Sequence, residues 1–258
     1  NQDAIDWEIK DDKLVLALSD GHGSLKYFRS EIGAQLAVES AVEIVLEEMN
    51  VDSLTTDTLS RIKTRVKNKL PQRIINSWLD KVKNHYQNNL FSLDRSSQSK
   101  LEEIELEKGI KAREQLEENY IKAYGATLLL VVVSKEFSLY LQLGDGEITI
   151  LSEAGKRMLF AEDEQFGPAT DSLCMSNPLN KFKFSLVPFT EEKPLFIMLS
   201  TDGYINSFRT DDAYLQVVDD FVNLINDYGI DYLDDNLSHW LKETTEQGSG
   251  DDITLGLV

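Results

Sequence analysis

Aspartate residues stand at the ends of hydrophobic runs in distant parts of the sequence. Asp20 follows the run KLVLALS, Asp145 follows FSLYLQLG, and Asp202 follows LFIMLST. Asp251 and Asp252 come directly before the run ITLGLV. When neighbouring strands run in opposite directions, the end of one strand and the start of the next share one rim of the sheet. We therefore expect these carboxylates to converge at one rim.

Such a cluster of acidic side chains predicts a metal centre. Clustered carboxylates repel one another and are costly to ionise together unless cations neutralise them. Ligation by oxygen alone favours hard divalent ions such as Mg²⁺ or Mn²⁺. The sequence offers no set of Cys or His residues that would recruit zinc.

The structural alternative is that these aspartates only form turns. Asp-Gly is a common turn dipeptide, and it occurs here at Asp20, Asp145 and Asp202. Each one taken alone would more often be a turn than a ligand. All three lie at the ends of hydrophobic runs, one of them within the sequence DGHG, and this shared position favours a site.

The elements that must position these residues are short strands. Several runs are apolar at consecutive positions, as in TLLLVVV and LFIML, which predicts strands buried on both faces. Gly, Asp, Pro or Ser residues bound each run, as is usual for strands. The predicted strands cover residues 13–19, 126–133, 137–143, 147–151, 182–187, 195–200 and 253–258.

Helices are predicted between the strands. Apolar residues recur at helical spacing over 34–49, 214–228 and 232–244, and no strand pattern occurs between 50 and 123. That segment predicts two amphipathic helices, over 59–89 and 100–123, with Pro71 near a break or a helix start. Within residues 61–83 there are eight Lys or Arg residues and one acid. This basic run is either a solvated helix face or a docking surface for an acidic or phosphorylated partner.

Composition restricts the class of protein. The chain has 258 residues, of which 41% are hydrophobic and 28% are charged, as in a folded globular protein. Its net charge of −19 argues against non-specific binding to nucleic acid or to an anionic membrane surface. A single cysteine, Cys174, excludes an internal disulfide and suits a reducing cytoplasm. No run of 18 apolar residues occurs, so no membrane-spanning helix is predicted.

The segment LVLALSDGHGS, at residues 14–24, resembles the DGHGG signature of the type 2C, or PPM, metal-dependent protein phosphatases. Five other segments resemble motifs of that family in the same order along the chain. They are NQDA (1–4), GATLLLVVV (125–133), LQLGDGEITIL (141–151), LSTDGYINSF (199–208) and GSGDDITLGLV (248–258).

The resemblance implies a fold and an activity. The expected fold is α/β (α+β), an αββα sandwich of two mostly antiparallel sheets flanked by helices. The expected organisation is a single domain over 1–258 with an extended helical insertion over about 50–123. The implied activity is hydrolysis of phosphoserine and phosphothreonine in a phosphorylated protein, which is a kinase or a kinase target. Two or three Mn²⁺ or Mg²⁺ ions would be the cofactors, and the location would be cytoplasmic.

The family's metal ligands correspond to particular residues of this sequence. Asp20 matches the carboxylate that bridges two metals, and the Gly21 carbonyl matches a further ligand. Asp202 and Asp251 match carboxylates on the first metal. Asp251 is preferred over Asp252 because it takes the first place in the closing D-[DN]-x-T motif.

Other residues correspond to supporting and catalytic roles. Asp145 matches the acid of a third, weaker metal site, and Asp3 matches the acid of the opening motif beside the metals. His22 matches the proposed general acid for the leaving alcohol, its alternative role being a structural hydrogen bond. His85 and His239 lie in predicted helices without motif context, as surface or packing residues.

The sequence departs from the family pattern at several places. Gln2 replaces a metal-linked Glu, Ser24 replaces the second glycine of the signature, and Thr201 replaces the usual Ser. The family's phosphate-gripping arginine usually lies just before the opening motif, where this chain begins. Loop-like residues between 152 and 187, centred on Gly167 and Pro168, are either a substrate-contacting flap or a connecting loop.

Two other classes of function compete with the enzyme. A catalytically weak phosphoprotein-binding regulatory module would keep the fold, and Gln2 favours it. The retention of Asp20, Asp202 and Asp251 argues against that alternative. A structural calcium module would need closely spaced loop ligands and a bidentate Glu, which the sequence lacks.

Overall fold

Two antiparallel β-sheets form the centre of the computed structural model, which describes residues 1–48, 56–160 and 170–258. The first sheet has the order β1-β2-β3-β4-β7 and the second has the order β6-β5-β8-β9. The strands of the first sheet are β1 (Ala4–Lys10), β2 (Lys13–Ser19), β3 (Leu128–Val133), β4 (Phe137–Leu143) and β7 (Lys183–Pro188). Those of the second are β5 (Glu147–Ser152), β6 (Gly155–Met158), β8 (Phe196–Ser200) and β9 (Leu255–Leu257).

The two sheets pack face to face through aliphatic side chains. Leu16 and Leu18 of β2 and Val131 of β3 meet Ile150 and Ile197 of the second sheet in one buried cluster. Each of these strands is buried on both faces, which is why its sequence is continuously apolar. Alternate side chains fill the space between the sheets, and the others face the helices.

Helices cover the outer face of each sheet. They are α1 (Ser30–Glu48), α2 (Thr56–Asn88), α3 (Arg95–Lys108), α4 (Ile110–Glu118), α5 (Asp202–Ile205), α6 (Asp211–Tyr228) and α7 (Ile230–Gln247). On the first sheet, Ala17 and Leu130 pack with α1 and α2 residues in a single core. On the second, Phe196, Met198 and Leu255 pack with α6 and α7. The αββα sandwich is therefore confirmed.

Several predicted element boundaries were wrong. Pro71 lies inside α2 and does not break it, although its ring nitrogen cannot donate to the carbonyl four residues earlier. The single helix predicted over 100–123 is divided at Gly109, whose φ of 85° is in the left-handed region that favours glycine. After α4 the chain continues as a 3-10 helix, Tyr120–Tyr124. Strands β1 and β6 were not predicted.

The basic run on α2 is partly paired with acids of α1. Arg73 contacts Glu47 at 2.8 Å and also bonds to Glu48. Lys81 contacts Glu43 at 2.9 Å and Glu39 at 3.5 Å. Exposed ion pairs of this kind contribute about 0–1 kcal/mol each. Their main consequence is that Arg73 and Lys81 hold α2 to α1 and are engaged within the chain.

Among the residues that the structure describes, none of the helices combines the length and the apolar character that a bilayer crossing needs.

Candidate metal centre

Two hydrogen bonds with Thr127 fix the backbone of Asp20 at the end of β2. The Asp20 N–H donates to Thr127 Oγ1 at 2.9 Å, and the Thr127 N–H donates to the Asp20 carbonyl at 2.8 Å. Gly21 then forms an isolated antiparallel bridge with Ala126. The sequence DGHG therefore begins as a continuation of the β2–β3 pairing and not as a free turn.

Gly21 lies where two other backbone segments come close together. A Cβ atom at this position would lie 2.7 Å from the Gln2 carbonyl oxygen and 2.8 Å from the Ser30 carbonyl oxygen. Backbone atoms cannot give way as a flexible side chain can. Glycine is needed here because it lets the opening motif, the DGHG segment and the start of α1 meet at one point.

Asp3 connects the opening motif to the other end of the chain. Thr201 Oγ1 donates to Asp3 Oδ2 at 2.9 Å, and the same hydroxyl oxygen accepts the Thr254 N–H at 2.9 Å. The other carboxylate oxygen of Asp3, Oδ1, is buried without a hydrogen-bond partner among the described residues. An unpaired buried carboxylate oxygen is costly, and a cation would satisfy it.

Asp202 and Asp251 meet beyond β8 and before β9. Asp202 begins α5, and its Oδ2 accepts the side-chain N–H of Asn206 at 3.2 Å. Gly203 packs directly against the Asp252 carbonyl, with no room for a Cβ. The Asp252 carboxylate accepts the Gln2 N–H at 2.7 Å. Asp252 therefore anchors the opening motif, which leaves Asp251 as the better candidate ligand.

The charges of these acids act on one another strongly. Burial, followed by the negative charges of Asp3 and Asp202, raises the pKa of Asp20 to about 8. Burial, followed by Asp145 and Asp251, raises the pKa of Asp202 to about 6. Carboxylates couple in this way only at short distances, so the structure brings all five acids to one rim.

The acids do not form a finished ligand shell. Within residues 1–48, 56–160 and 170–258, no three Asp, Glu, His or Cys side chains are arranged to hold a metal ion as they stand. Binding a cation would require some of these carboxylates to rotate toward it. The donors nevertheless fit a hard divalent ion, since they are carboxylate oxygens whose charges raise the pKa of Asp20, and Asp3 Oδ1 has no hydrogen-bond partner within the part of the chain that the structure describes.

Asp145 and His22 lie at the edge of the acidic cluster. Thr170 Oγ1 donates to Asp145 Oδ2 at 2.5 Å. The His22 ring packs against the Tyr27 ring with centroids 4.7 Å apart, and the His22 N–H donates to the Gly125 carbonyl at 3.1 Å. Burial lowers the pKa of His22, while the charge of Asp145 acts in the opposite direction. The imidazole is thus half-buried beside the acids.

The remaining predicted positions are two histidines, Gln2 and the centre of the candidate flap. His85 is a packing residue whose Nδ1 lies 2.9 Å from Tyr124 Oη, and His239 is exposed on α7. The Gln2 side-chain amide donates to Ser30 Oγ at 2.9 Å. The centre of the candidate flap, Gly167 and Pro168, lies outside the described residues.

Sequence reasoning missed the residues that support the acids. Thr201 replaces the usual Ser of the family, and its hydroxyl joins Asp3 to the residues before β9. Thr127 holds Asp20 from both sides of its peptide. Thr201 directly precedes Asp202 after β8, and Thr127 directly precedes β3 within the segment GAT, so their position at strand ends was the available signal.

Comparison with known proteins gives a family and a fold. The profile of the family described as protein phosphatase 2C matches residues 1–242. A comparison with curated proteins finds no match. Solved structures with a similar fold are a bacterial serine phosphatase (12% identity, TM-score 0.56, covering 100% of this chain and 90% of that one), the serine/threonine phosphatase Stp1 from Staphylococcus aureus (12%, 0.54, 100% and 87%) and the S. agalactiae serine/threonine phosphatase (17%, 0.52, 100% and 92%).

At these identities the solved structures show the fold alone, and the family rests on the profile. That profile covers the segments containing Asp3, Asp20, Asp145 and Asp202. The chain belongs to the protein phosphatase 2C family of metal-dependent serine/threonine phosphatases.

Proposed function

We propose that the acidic rim is the metal centre of a phosphatase that removes phosphate from phosphoserine and phosphothreonine. Asp20, Gly21, Asp202 and Asp251 would hold two Mn²⁺ or Mg²⁺ ions, with Asp3 beside them and Asp145 on a third. The observation that carries the proposal is the buried Oδ1 of Asp3, which has no hydrogen-bond partner among the described residues, beside acids whose charges raise the pKa of Asp20 and of Asp202. The family match supports the reaction class.

When bound, two divalent ions would lower the pKa of a water molecule and would supply positive charge to the phosphoryl group. The chain's part is to place and hold these groups. Thr127 fixes the Asp20 backbone, and Thr201 orients Asp3. His22 would donate a proton to the departing serine or threonine oxygen; burial lowers the pKa of His22, but the charge of Asp145 favours the protonated ring that this role needs. A direct attack by water needs no phosphorylated enzyme intermediate, so a reactive cysteine is not required.

The charge of the protein makes substrate binding depend on the metals. Without cations, a rim of five acids on a chain of net charge −19 repels a phosphate dianion. Two or three divalent ions reverse the sign of the local field. We infer that the affinity for substrate, as well as turnover, depends on metal.

The central experiment is hydrolysis of a phosphothreonine peptide by the wild-type chain with and without Mn²⁺. We expect phosphate release with Mn²⁺ and release near the uncatalysed rate after EDTA treatment. Peptide binding followed by fluorescence anisotropy should weaken in parallel. Equal hydrolysis in both conditions would remove the proposal, and hydrolysis without metal-dependent peptide binding would remove only the inference about affinity.

The role of His22 is tested with leaving groups of different basicity. The His22→Ala variant should hydrolyse an alkyl phosphate such as phosphothreonine about 10²-fold more slowly. It should hydrolyse p-nitrophenyl phosphate at nearly the wild-type rate, because that alcohol leaves without a proton. If the variant slows both substrates equally, His22 is a structural residue packed on Tyr27 and not the general acid.

The alternative function is a catalytically weak phosphoprotein-binding module. It is favoured by the unfinished ligand shell and by Gln2, whose amide bonds to Ser30 instead of supplying a carboxylate. The same assay separates the two, because the module predicts binding of the phosphopeptide without phosphate release.

We also propose the organisation and setting of the chain. It would be a single domain over 1–258, in which residues of about 50–123 are a helical insertion, and the match over 1–242 supports this. The substrate would be a kinase or a kinase target. A cytoplasmic location fits the single cysteine, Cys174.

A further inference from the structure

A buried arginine, Arg29, lies between the helices α2 and α3 and the loop that carries Gly21 and His22. Arg29 is only 5% exposed. Its guanidinium donates to Tyr124 Oη at 2.6 Å, to Asp94 Oδ2 at 3.2 Å and to Ser97 Oγ at 3.0 Å. It also lies 4.7 Å from the centre of the Phe91 ring. A buried cation with this many directed partners is held in one position.

The partners of Arg29 define the start of α3. Asp94 is the N-cap of that helix, and its carboxylate accepts the N–H groups of Ser96 and Ser97. The Ser97 hydroxyl and the guanidinium hold the pKa of Asp94 below its ordinary value, with the hydroxyl contributing most. The carboxylate is therefore ionised opposite Arg29. A shift of α3 would break the pair between this carboxylate and the buried guanidinium of Arg29.

The same arginine is also connected to α2. Tyr124 Oη accepts a hydrogen bond from Arg29 and lies 2.9 Å from His85 Nδ1. Burial, with the charge of Arg29, lowers the pKa of His85. The neutral ring of His85 can accept a hydrogen bond from the Tyr124 hydroxyl. Three helical elements, α2, α3 and the 3-10 helix at 120–124, thus meet at one guanidinium.

On its other side, Arg29 adjoins the loop that carries Gly21 and His22. The Arg29 N–H donates to the Ala123 carbonyl at 2.8 Å. The next residue, Ser30, presses its carbonyl against Gly21 and accepts the Gln2 amide. Gly125, directly after Tyr124, accepts the His22 N–H. Ser30 follows Arg29 in the sequence and Gly125 follows Tyr124, and the backbone of each one contacts the loop that carries Gly21 and His22.

We propose that Arg29 is a positioning residue that ties α2 and α3 to the Gly21–His22 loop, so that the order of this loop depends on those helices. The part of the inference that concerns metal affinity rests on the proposed function. A partner that moves α3 would in this way alter the metal centre without touching it.

Two substitutions isolate the charge pair. Asp94→Asn keeps an oxygen that can cap α3, since Asn is as good an N-cap as Asp, but removes the charge opposite Arg29. Arg29→Lys keeps the charge and removes the forked geometry. The matched control is Glu105→Gln, which breaks the α3 ion pair with Arg113. Asp94 and Glu105 are both 39% exposed.

The first readout is hydrogen exchange of the backbone amides of residues 21–28 in the metal-free protein. We expect about 10-fold faster exchange at His22 in Asp94→Asn and Arg29→Lys, and wild-type exchange in Glu105→Gln. This measurement does not depend on any metal. Wild-type exchange at His22 in both variants would overturn the proposal.

The second readout is the Kd of Mn²⁺, measured by titration well below the thermal midpoint of each variant. We expect about a 3- to 10-fold weaker Kd in both variants and an unchanged Kd in the control. A lower thermal midpoint with unchanged exchange and unchanged Kd would mean a purely structural arginine. If the wild type binds no Mn²⁺, the proposed function fails, and the exchange result alone decides whether Arg29 orders the loop.

Discussion

Replacing Asp20 with asparagine is expected to lower Mn²⁺-dependent hydrolysis of a phosphothreonine peptide by about 10³-fold, which corresponds to roughly 4 kcal/mol of transition-state stabilisation. Asp20 would be a ligand of both proposed ions, so its loss would weaken the binding of both. Its amide and carbonyl are already engaged with Thr127. An asparagine side chain therefore changes the charge at this position and leaves the backbone in place. Phosphate release and bound Mn²⁺ are the measurements.

Neighbouring residues supply the controls. Asp251→Asn should resemble Asp20→Asn, and so should Asp202→Asn. Asp252→Asn should retain activity within about threefold, because an asparagine oxygen can still accept the Gln2 N–H. Asp145→Ala should lower turnover while the two tighter ions stay bound. Loss of all metal from Asp145→Ala would contradict a third site, and full activity in Asp20→Asn would contradict the metal centre.

The positions of the acids were predictable in part from strand direction. Within the second sheet, an aspartate after β8 and another before β9 must reach the same rim because these strands are antiparallel, and the charge of Asp251 does act on Asp202. Side-chain orientation was not predictable in the same way. Gln2 turns to Ser30, and Asp252 turns to the Gln2 backbone. Such choices depend on hydrogen-bond partners from distant parts of the sequence.

The fold class was also predictable, but not every element was. Strand β1 was missed because its apolar residues, Ile5, Trp7 and Ile9, alternate with Asp6 and Glu8 and remain exposed. The other predicted strands are mostly continuous apolar runs, whereas β1 alternates apolar and polar residues, which is also a strand pattern.

The helices α3 and α4 were joined in the prediction because helical spacing continues through Gly109. A left-handed φ at that glycine ends the first helix. The role of Arg29 could not be predicted at all, since its partners, Asp94 and Tyr124, lie 65 and 95 residues away.

Without metal, Asp20→Asn should raise the stability of the folded protein, although the same substitution should lower activity. Burial and the neighbouring acids raise the folded-state pKa of Asp20 from 3.8 to about 8. An acid whose folded-state pKa is raised stabilises the folded protein in full below its unfolded-state pKa. This stabilisation is lost as the pH rises through the folded-state pKa. At pH 7.5 the wild type has lost most of this stability, whereas the variant carries no such charge. We expect the variant to be more stable by at least about 1 kcal/mol, or roughly 2–4 °C in Tm.

Added Mn²⁺ should reverse that order. A ligand that binds only the folded protein adds RT ln(1 + [L]/Kd), which is about 2.7 kcal/mol at 100 times Kd. The wild type should gain this amount, and Asp20→Asn should gain little. Thermal unfolding at pH 5 and pH 7.5, with EDTA or Mn²⁺, measures both effects, and exposed Glu114→Gln controls for the change in net charge. An asparagine variant that is less stable than the wild type in EDTA at pH 7.5 would mean that the acids of the rim do not repel one another. The carboxylates that repel one another without cations are the same ones that would bind the cations. The wild type must therefore be less stable than Asp20→Asn in EDTA and more stable than Asp20→Asn in Mn²⁺.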